Sequence, residues 1–510
     1  MPDLVLRSVR QPGDTTFSDV HITGGVITQI VPAGTDSTGT DSTRPHPTRP
    51  ALDAAGLTGT PAAADLDGRT VIPGLWDEHV HLTQWALTGA RFDLSAAASA
   101  RDALELVRAQ AIAAARPTPL IGVRFRDAIW ADAPTLRGLD EVTRGHPTAL
   151  ISHDLHCVWL NSAAAERFGV RVDESGLLRE QAAFALTIAL GQLPDAEVDA
   201  LATQAGARAA ARGVVGIVDF EMTWNPGVWQ RRIADGFDSL RIDAGIYLAD
   251  LDRAIAERMR TGDRIADTRG LLSVGPLKML IDGSLGTRTA FCVDEYPVGG
   301  HGVLTVSEDD LVEILVNATA AGLLPAVHAI GDAANTIALN AFGRAAATGR
   351  IEHAQLLQAD DFARFARLGV TASVQPEHAL DDRDTVELNW AAGANRVFAL
   401  RSLLDAGATL AFGSDAPVAP LDPFTAMSAA SSRARSDGRE PWRPDQVVTR
   451  SQALAASARG RTRLRVGDVA DIAILDGDPL TVSDAVFERM PVAATLLAGR
   501  VTHGADLFAG

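Results

Sequence analysis

Apolar and polar residues alternate along the first thirty residues of the chain, as in LVLRSVR and DVHITGGVITQIVP. Alternation with a period of two is typical of strands with one buried face, and Gly24-Gly25 falls where a hairpin turn belongs. The same alternation occurs near the C-terminal end, in RLRVGDVADIAILDG and PVAATLLAGRVTHG. Since neither end holds enough strands for a stable sheet of its own, we expect residues 1–68 and 460–510 to form one composite β-sandwich domain.

The segment 33–50, AGTDSTGTDSTRPHPTRP, interrupts this pattern. It repeats the tetrad Thr-Asp-Ser-Thr among prolines and glycines and has too few apolar residues to bury any core. We predict a mobile surface loop without a chemical role.

From Val71 to about Ser457 the pattern changes, and short apolar runs alternate with Ala-rich helical segments, as in a parallel sheet covered by helices. Candidate strands end near Trp76, Phe125, Ser152, Phe220, Leu248, Ile281, His328, His353, Gln375 and Gly413. A (β/α) barrel has eight strands, and the strands ending near Phe125 and Ser152 lie in a stretch with helices of its own. We therefore predict an α/β fold, a TIM-like (β/α)8 barrel over residues 69–459, with an insertion at about 90–205 after the first barrel strand.

Composition narrows the class of protein. The chain has 510 residues, 46% of them hydrophobic and 22% charged, as in ordinary globular proteins. Its net charge of -18 argues against nucleic acid or an anionic membrane as the partner, because those surfaces require clustered Lys and Arg. Charged residues interrupt the N-terminal stretch where a signal peptide needs an apolar run, and Cys157 and Cys292 are too few for a disulfide framework. We expect a cytoplasmic protein without a membrane span. The composition is also compatible with a homo-oligomer.

The stretch VIPGLWDEHVH, residues 71–81, ends an apolar run with His79 and His81. In an extended strand these two side chains project from the same face and could bind one metal ion. The alternative is that one of them is a hydrogen-bonded core histidine, which is the commoner fate of such a pair taken alone. The choice depends on which other polar residues lie at the same edge of the sheet.

Chemistry in a (β/α) barrel belongs at the carboxyl ends of the strands. Residues there that can bind a metal ion, or become able to, are His79, His81, Lys278, His328, His353 and Asp415. Imidazoles with a carboxylate suit Zn²⁺, with Mn²⁺, Fe²⁺ or Co²⁺ as competitors. A buried Lys278 would lose its proton more easily and could add CO₂ to give an N-carboxylate ligand. We therefore predict one or two divalent ions, with Zn²⁺ as the first choice, at this edge of the barrel.

Six segments, PGLWDEHVH, LKMLIDGSLGTRTA, VHAIGD, RIEHAQ, SVQPEH and FGSDAPV, follow one another in this order. They resemble the amidohydrolase superfamily, in particular its metal-dependent branch of YtcJ-like and N-substituted formamide deformylase-like proteins. The likeness extends to SHDLHCVWLNSAA in the insertion and GDVADIAILDGDP near the end, and it implies a TIM-like barrel with a β-sandwich side domain. It also implies a carboxylated Lys278 that bridges two ions. The family pattern gives as ligands His79, His81 and Asp415 for one ion, and His328 and His353 for the other.

The expected reaction is hydrolysis of a non-peptide C–N bond in a small molecule, such as a linear amide, an N-formyl or an N-acyl compound. Water bound to divalent ions loses a proton near neutral pH, and the resulting hydroxide attacks the carbonyl carbon. Asp415 is the expected catalytic residue, because it could accept the proton of the water and deliver it to the leaving nitrogen. Candidates for substrate contact are His156, His378 and Arg288.

Other functions remain open at this point. Opening of a cyclic amide or deamination of an amino-heterocycle would use the same site. A non-catalytic scaffold on the same fold is the alternative from another class, but such a protein should have lost ligands, and all of them are present here. A serine hydrolase is not supported, because Asp282 replaces the first glycine of a nucleophile elbow around Ser284.

Overall fold

The computed structural model describes residues 3–34, 62–89, 91–114, 119–125, 127, 130–152, 157–179, 181–191, 193–286, 288–297, 299–435 and 437–508. The chain divides into two compact units, one made of residues 1–82 and 206–510 and the other of residues 83–205. The loop predicted at 33–50 lies outside the described residues, apart from its first two positions.

Eight parallel strands form the main sheet of the first unit and follow one another around it in chain order. They are Leu75–Val80, Val214–Asp219, Arg241–Tyr247, Leu272–Leu280, Pro325–Ala329, Gly349–His353, Val370–Val374 and Leu410–Phe412. A parallel bridge between Val80 and Ala416 joins the first strand to the segment after the eighth, so the sheet is a nearly closed barrel. The predicted TIM-like (β/α)8 fold is confirmed.

Helices cover the barrel because its strands are apolar on both faces, as in Val214–Asp219, where every residue is buried. Local signals fix the helix limits, as in Glu308–Ala321, where the Ser307 side chain accepts the N–H of Asp310 and Gly322 ends the helix in the left-handed conformation. The helices of this unit are Asn225–Ala234, Leu251–Ala256, Glu308–Ala321, Asp332–Ala345, Phe362–Leu368, His378–Asp381, Arg383–Asn389, Leu400–Asp405, Pro423–Ser432, Arg450–Ser457 and Asp484–Glu488. No helix within the described ranges combines the length and apolar character that crossing a bilayer requires.

Two four-stranded sheets, built from both ends of the chain, form the β-sandwich. The first sheet contains Leu4–Val9, Ser18–Thr23, Val26–Pro32 and Ala62–Asp65, and the second contains Thr70–Pro73, Ile472–Leu475, Val492–Leu497 and Arg500–His503. Gly24 and Gly25 form the predicted hairpin turn, and Leu6 and Ile474 belong to one shared apolar core. The composite sandwich is confirmed as architecture, while the domain limits 1–68 with 460–510 and 69–459 remain our proposal.

The second unit, residues 83–205, has a five-stranded mixed sheet of its own. Its strands are Phe92–Asp93, Leu120–Phe125, Thr148–Ser152, Cys157–Leu160 and Leu177–Arg179. Its helices are Ala100–Ala113, Leu136–Val142, Ser162–Phe168 and Gln181–Gly191, while Leu82–Gly89 and Asp195–Ala210 cross its limits. Trp159 is fully buried in a core with Phe125 and Leu139, so the inserted stretch is organised around its own apolar centre.

Candidate metal centre

The first and eighth barrel strands end side by side and bring three of the predicted ligands together. The backbone N–H of Asp415 donates to the carbonyl oxygen of His79 (2.7 Å), and that of His81 donates to Ala416 (2.9 Å). This close approach requires glycine at position 413, because a Cβ there would lie only 2.6 Å from the backbone nitrogen of His79. Nε2 of His79 and Nε2 of His81 lie 3.6 and 3.4 Å from Oδ1 of Asp415. Two imidazoles and one carboxylate therefore face a common point, with their ligand atoms within 4.8 Å of one another.

A second group of possible ligands shares Asp415. It contains His353 and His378, and its ligand atoms also lie within 4.8 Å of one another. Nδ1 of His353 contacts Oε1 of Gln375 (2.9 Å), which leaves Nε2 as the nitrogen with a free lone pair. The His378 ring is stacked on that of His353 at 6.3 Å between centroids, and its Nε2 lies 3.9 Å from Oδ2 of Asp415. The sequence indicated His378 as a substrate contact, whereas the structure places it among groups able to bind a metal.

His328 lies beside this second group without being part of it. Its ring meets that of His353 edge to face at 4.5 Å between centroids. Its Nε2 lies 3.1 Å from the carbonyl oxygen of Gly283 and 3.4 Å from Oδ1 of Asp282. If the Nε2–H donates to these oxygens, Nδ1 is the nitrogen left for a metal ion.

Lys278, on the fourth barrel strand, places its amine beside the same histidines. Its Nζ lies 3.3 Å from Nε2 of His79 and 4.7 Å from the ring centroid of Phe220. Burial disfavours the charged ammonium and lowers the pKa of Lys278 to about 8, although Glu352 and Asp415 act in the opposite direction. A minor fraction of the amine is therefore neutral at neutral pH, far more than for an exposed lysine, and the neutral form is the one able to react with CO₂.

Glu352 orients His79 and was not singled out by sequence reasoning. Its Oε2 accepts the Nδ1–H of His79 (2.7 Å), and its Oε1 accepts Nε–H of Arg350 (2.5 Å). Burial alone would raise the pKa of Glu352, but Arg350 and His79 outweigh it and hold that pKa well below its usual range. An ionised carboxylate on Nδ1–H fixes the tautomer in which Nε2 of His79 is unprotonated. The segment RIEHAQ contains Glu352, but its partner lies 273 residues away in the chain.

A chain of alternating charges continues from buried Glu352 toward the surface. Arg350 donates to Oε2 of Glu78 (2.9 Å), and Nε of Arg459 donates to Oε1 of the same residue (2.7 Å). Arg459 also binds Asp243 (2.6 Å) and lies 3.2 Å from the ring centroid of Trp76. Since isolated charges in a barrel interior are very unfavourable, each carboxylate here depends on its arginine neighbours.

The protonation states of most of the proposed ligands favour cation binding, whereas for His81 the contact with Asp415 outweighs burial and raises the pKa. Burial lowers the pKa of His79 to about 4 and that of His328 to about 3, and it lowers the pKa of His353 well below its usual value. For Asp415 burial acts in the opposite direction, but the neighbouring histidines, His79 first among them, outweigh it and hold the pKa well below its ordinary range. Neutral imidazoles and an ionised carboxylate are the forms in which these side chains bind metals.

Two buried nitrogens of the site also lack a partner. Nδ1 of His81 and Nε2 of His378 make no hydrogen bond to any described residue. An unsatisfied buried polar atom is costly. An ion bound at Nε2 of His378 would remove that cost, whereas Nδ1 of His81 is not the nitrogen that faces Asp415. The donor set and the unpartnered Nε2 of His378 therefore fit a divalent cation.

Of the two other predicted substrate contacts, the structure describes only Arg288. Arg288 is exposed on the loop after the fourth barrel strand, with a positive φ of 57°, and makes no contact with the histidines among the described residues. His156 lies outside the described residues. Asp282, which accepts the backbone N–H groups of Phe291, Ile330 and Gly331, shapes the loops beside His328 as a structural residue.

Comparison with known proteins covers nearly the whole chain. The chain is 28% identical over 460 residues to Protein LONG AFTER FAR-RED 3 of Arabidopsis thaliana, spanning 81% of this chain and 78% of that protein. It is 24% identical over 483 residues to YtcJ of Bacillus subtilis, with 86% and 90% covered. It is 26% identical over 487 residues to N-substituted formamide deformylase of Arthrobacter pascens, with 85% and 88% covered. These relatives confirm the branch that the sequence segments resemble.

Two solved structures share the fold, both described as uncharacterized metal-dependent hydrolases. The one from Pyrococcus furiosus has a TM-score of 0.72 at 23% identity and covers 94% of this chain and 100% of its own. The one from Pyrococcus horikoshii has a TM-score of 0.74 at 22% identity, with 95% and 99% covered. The family described as the amidohydrolase family matches residues 62–503, which include the barrel, the inserted unit and all four strands of the second sandwich sheet. The chain therefore belongs to the amidohydrolase family of hydrolases.

Proposed function

We propose that the protein is a metal-dependent hydrolase that cleaves a non-peptide C–N bond in a small molecule. The observation that carries this proposal is the convergence of His79, His81 and Asp415 beside the buried amine of Lys278. This convergence lies at the carboxyl ends of the strands, where (β/α) barrels hold their active sites. The name of the relative N-substituted formamide deformylase favours a linear amide, and an N-formyl or N-acyl compound in particular.

The metal set follows from the two ligand groups. His79, His81 and Asp415 would hold one ion, and Zn²⁺ is our first choice because imidazole and carboxylate are its ordinary ligands. A second ion would use His353 together with His328, which the family pattern favours, or with His378, which the distances favour. When bound, such ions supply an acidified water and polarise a carbonyl oxygen.

Metal content distinguishes the two versions of the second site. If His328 is a ligand, His328→Ala lowers the metal-to-protein ratio measured by elemental analysis, whereas unchanged stoichiometry would reject it. His378→Ala is the matched variant, since both residues are buried histidines near His353. The variant that loses metal identifies the ligand.

Asp415 is the group that we propose to move the proton. Its carboxylate is held ionised, so it can accept a proton from water and then donate that proton to the leaving nitrogen. His81 and His378 lie on either side of it, 3.4 Å from Oδ1 and 3.9 Å from Oδ2, and restrict the orientation of the carboxylate. Glu352 contributes by keeping Nε2 of His79 unprotonated and aimed at the same cavity.

We also propose that Lys278 is carboxylated. Its neutral amine would attack CO₂, forming an N–C bond and releasing one proton, and the product is an anionic oxygen ligand. Incorporation of ¹³C-labelled bicarbonate, followed by carbon NMR, should give a carbamate signal in the native protein. Lys278→Met should lack this signal, and a native protein without it would reject the modification.

Product analysis tests the reaction class. With the metal-loaded protein and a panel of N-formyl and N-acyl amines, we expect equimolar free amine and carboxylic acid. Release of ammonia from amino-heterocycles would instead favour deamination, and a single ring-opened product would favour a cyclic amidase. Absence of hydrolysis across all three panels would contradict the enzyme assignment.

A further inference from the structure

A cavity lies at the end of the barrel opposite the candidate metal centre, between the barrel and the β-sandwich. It has a volume of about 530 Å³, and its lining includes four arginines, Arg241, Arg264, Arg269 and Arg500. We call it the arginine cleft. Arg241 is the first residue of the third barrel strand, and Gly270 and Leu271 directly precede the fourth, so the cleft borders the amino ends of these strands. The candidate metal centre lies at the carboxyl ends, and the cleft is therefore a separate site.

Two of these arginines are neutralised by carboxylates. Arg241 binds Asp471 through two parallel hydrogen bonds of 2.7 and 3.1 Å, the bidentate geometry that holds a guanidinium rigidly. Nη1 of Arg500 lies 3.0 Å from Oδ2 of Asp238. Both side chains are thus fixed in the wall, with their charge compensated.

The other two arginines are not compensated in this way. Nη2 of Arg269 donates to two backbone carbonyl oxygens, at 3.1 and 2.7 Å, which fixes the side chain but leaves its charge. Arg264 is exposed, and within the described ranges its guanidinium makes neither a hydrogen bond nor an ion pair. Its Nη1 lies 3.4 Å from where a Cβ of Gly270 would stand, and the carbonyl oxygen of Gly270 accepts from Arg241 (3.2 Å). Two guanidinium groups therefore border the same glycine.

Clustered guanidinium groups repel one another unless an anion lies among them. Asp471 and Asp238 compensate two of the four arginines, which leaves two positive charges in a chain whose net charge is -18. We propose that the arginine cleft binds a small molecule that carries phosphate groups with at least two negative charges. Guanidinium forks match phosphate oxygens in geometry, and the volume is in the range of ordinary small-molecule sites.

Calorimetric titration with pyrophosphate tests this proposal. We expect saturable binding to the metal-loaded protein at constant ionic strength, weakened at least tenfold in Arg264→Glu. Arg264→Lys keeps the positive charge but loses the bidentate guanidinium, so its affinity for pyrophosphate should lie between that of the native protein and that of Arg264→Glu. Arg7→Glu is the matched control, because Arg7 is exposed on the sandwich strand Leu4–Val9 and does not line the cleft.

Three outcomes would overturn the proposal. The first is the absence of saturable binding. The second is equal affinity in native protein and Arg264→Glu, as expected if pyrophosphate binds only at the metal centre. The third is displacement of pyrophosphate by an equal concentration of succinate, which would make the site one for carboxylates. Metal content measured in each sample ensures that a loss of binding reflects the cleft, and the outcome does not depend on hydrolase activity.

Discussion

His79 is held from two sides, and both contacts bear on its proposed role. Its Nδ1–H donates to Glu352, and its Nε2 lies 3.3 Å from the Lys278 amine and 3.6 Å from Asp415. The spacing of His79 and His81 indicated that both could face one object, and the other polar residues at the strand ends favoured that interpretation. The pairing with Glu352 could not be predicted, because one sequence does not show which buried carboxylate of another strand faces a given imidazole.

At this scale the first prediction concerns Glu352→Gln. An amide cannot supply the negative charge that fixes the tautomer of His79, so we expect the metal affinity to fall about 10- to 100-fold. Competition with a chromophoric chelator measures this affinity. Glu313→Gln, on the exposed face of the helix Glu308–Ala321, should leave it unchanged. Native affinity in Glu352→Gln would show that the contact is only structural.

The second residue-scale prediction concerns Asp415→Asn. Because asparagine cannot accept the proton, we expect turnover to fall by about 10² to 10⁴. Steady-state kinetics should be measured on samples of known metal content, since Asp415 is also a proposed ligand. Asp309→Asn, an exposed change on the helix Glu308–Ala321, serves as control. Near-normal turnover in Asp415→Asn would remove this residue from the mechanism.

At the scale of elements, apolar runs separated by helical segments were enough to predict all eight barrel strands. Seven of their ends agree with the structure to within one residue, because a parallel strand buried on both faces gives a continuous apolar run. The first strand ends at Val80, four residues after the predicted Trp76. The contact between the first and eighth strands could not be predicted from the sequence, since it depends on Gly413 and on a strand register that no local pattern encodes. The proximity of His378 to Asp415 was not predictable either, because it depends on where the short helix His378–Asp381 begins.

Gly413→Ala tests the closure of the barrel. The added Cβ would lie 2.6 Å from the backbone nitrogen of His79, so the two strands must separate. Overpacking of this kind typically costs about 1–3 kcal/mol, which urea denaturation would measure. Gly286→Ala meets nothing within 4 Å and should be neutral. Equal stability of both variants would show that the strands can separate at no cost.

At the scale of the whole molecule, the composite sandwich was predictable because both ends of the chain share a period of two. The arginine cleft was not, since its four arginines come from distant segments of both the barrel and the sandwich. The chain of charges from Glu352 to Arg459 was equally unpredictable. Arg459 follows the last barrel helix, yet it pairs with Glu78 near the start of the barrel. Ion pairs between residues far apart in the chain are the part of this structure that a single sequence does not predict.

Metal binding should stabilise the whole fold. A ligand that binds only the folded state adds about 2.7 kcal/mol to the free energy of unfolding at a concentration of 100 Kd. We therefore expect a higher Tm after Zn²⁺ is restored to chelator-treated protein, measured by calorimetry. The variant His79→Ala/His81→Ala should show no such increase, and an equal increase in it would place the stabilising ion elsewhere.

The most direct measurement is the metal stoichiometry of the purified, Zn²⁺-reconstituted protein by elemental mass spectrometry. If the side chains of the first and eighth strands form a metal site, the native protein should retain one or two ions per chain after extensive dialysis. His79→Ala/His81→Ala should retain at least one fewer. A native protein that retains none, or a double variant that retains as many ions as the native chain, would contradict the account.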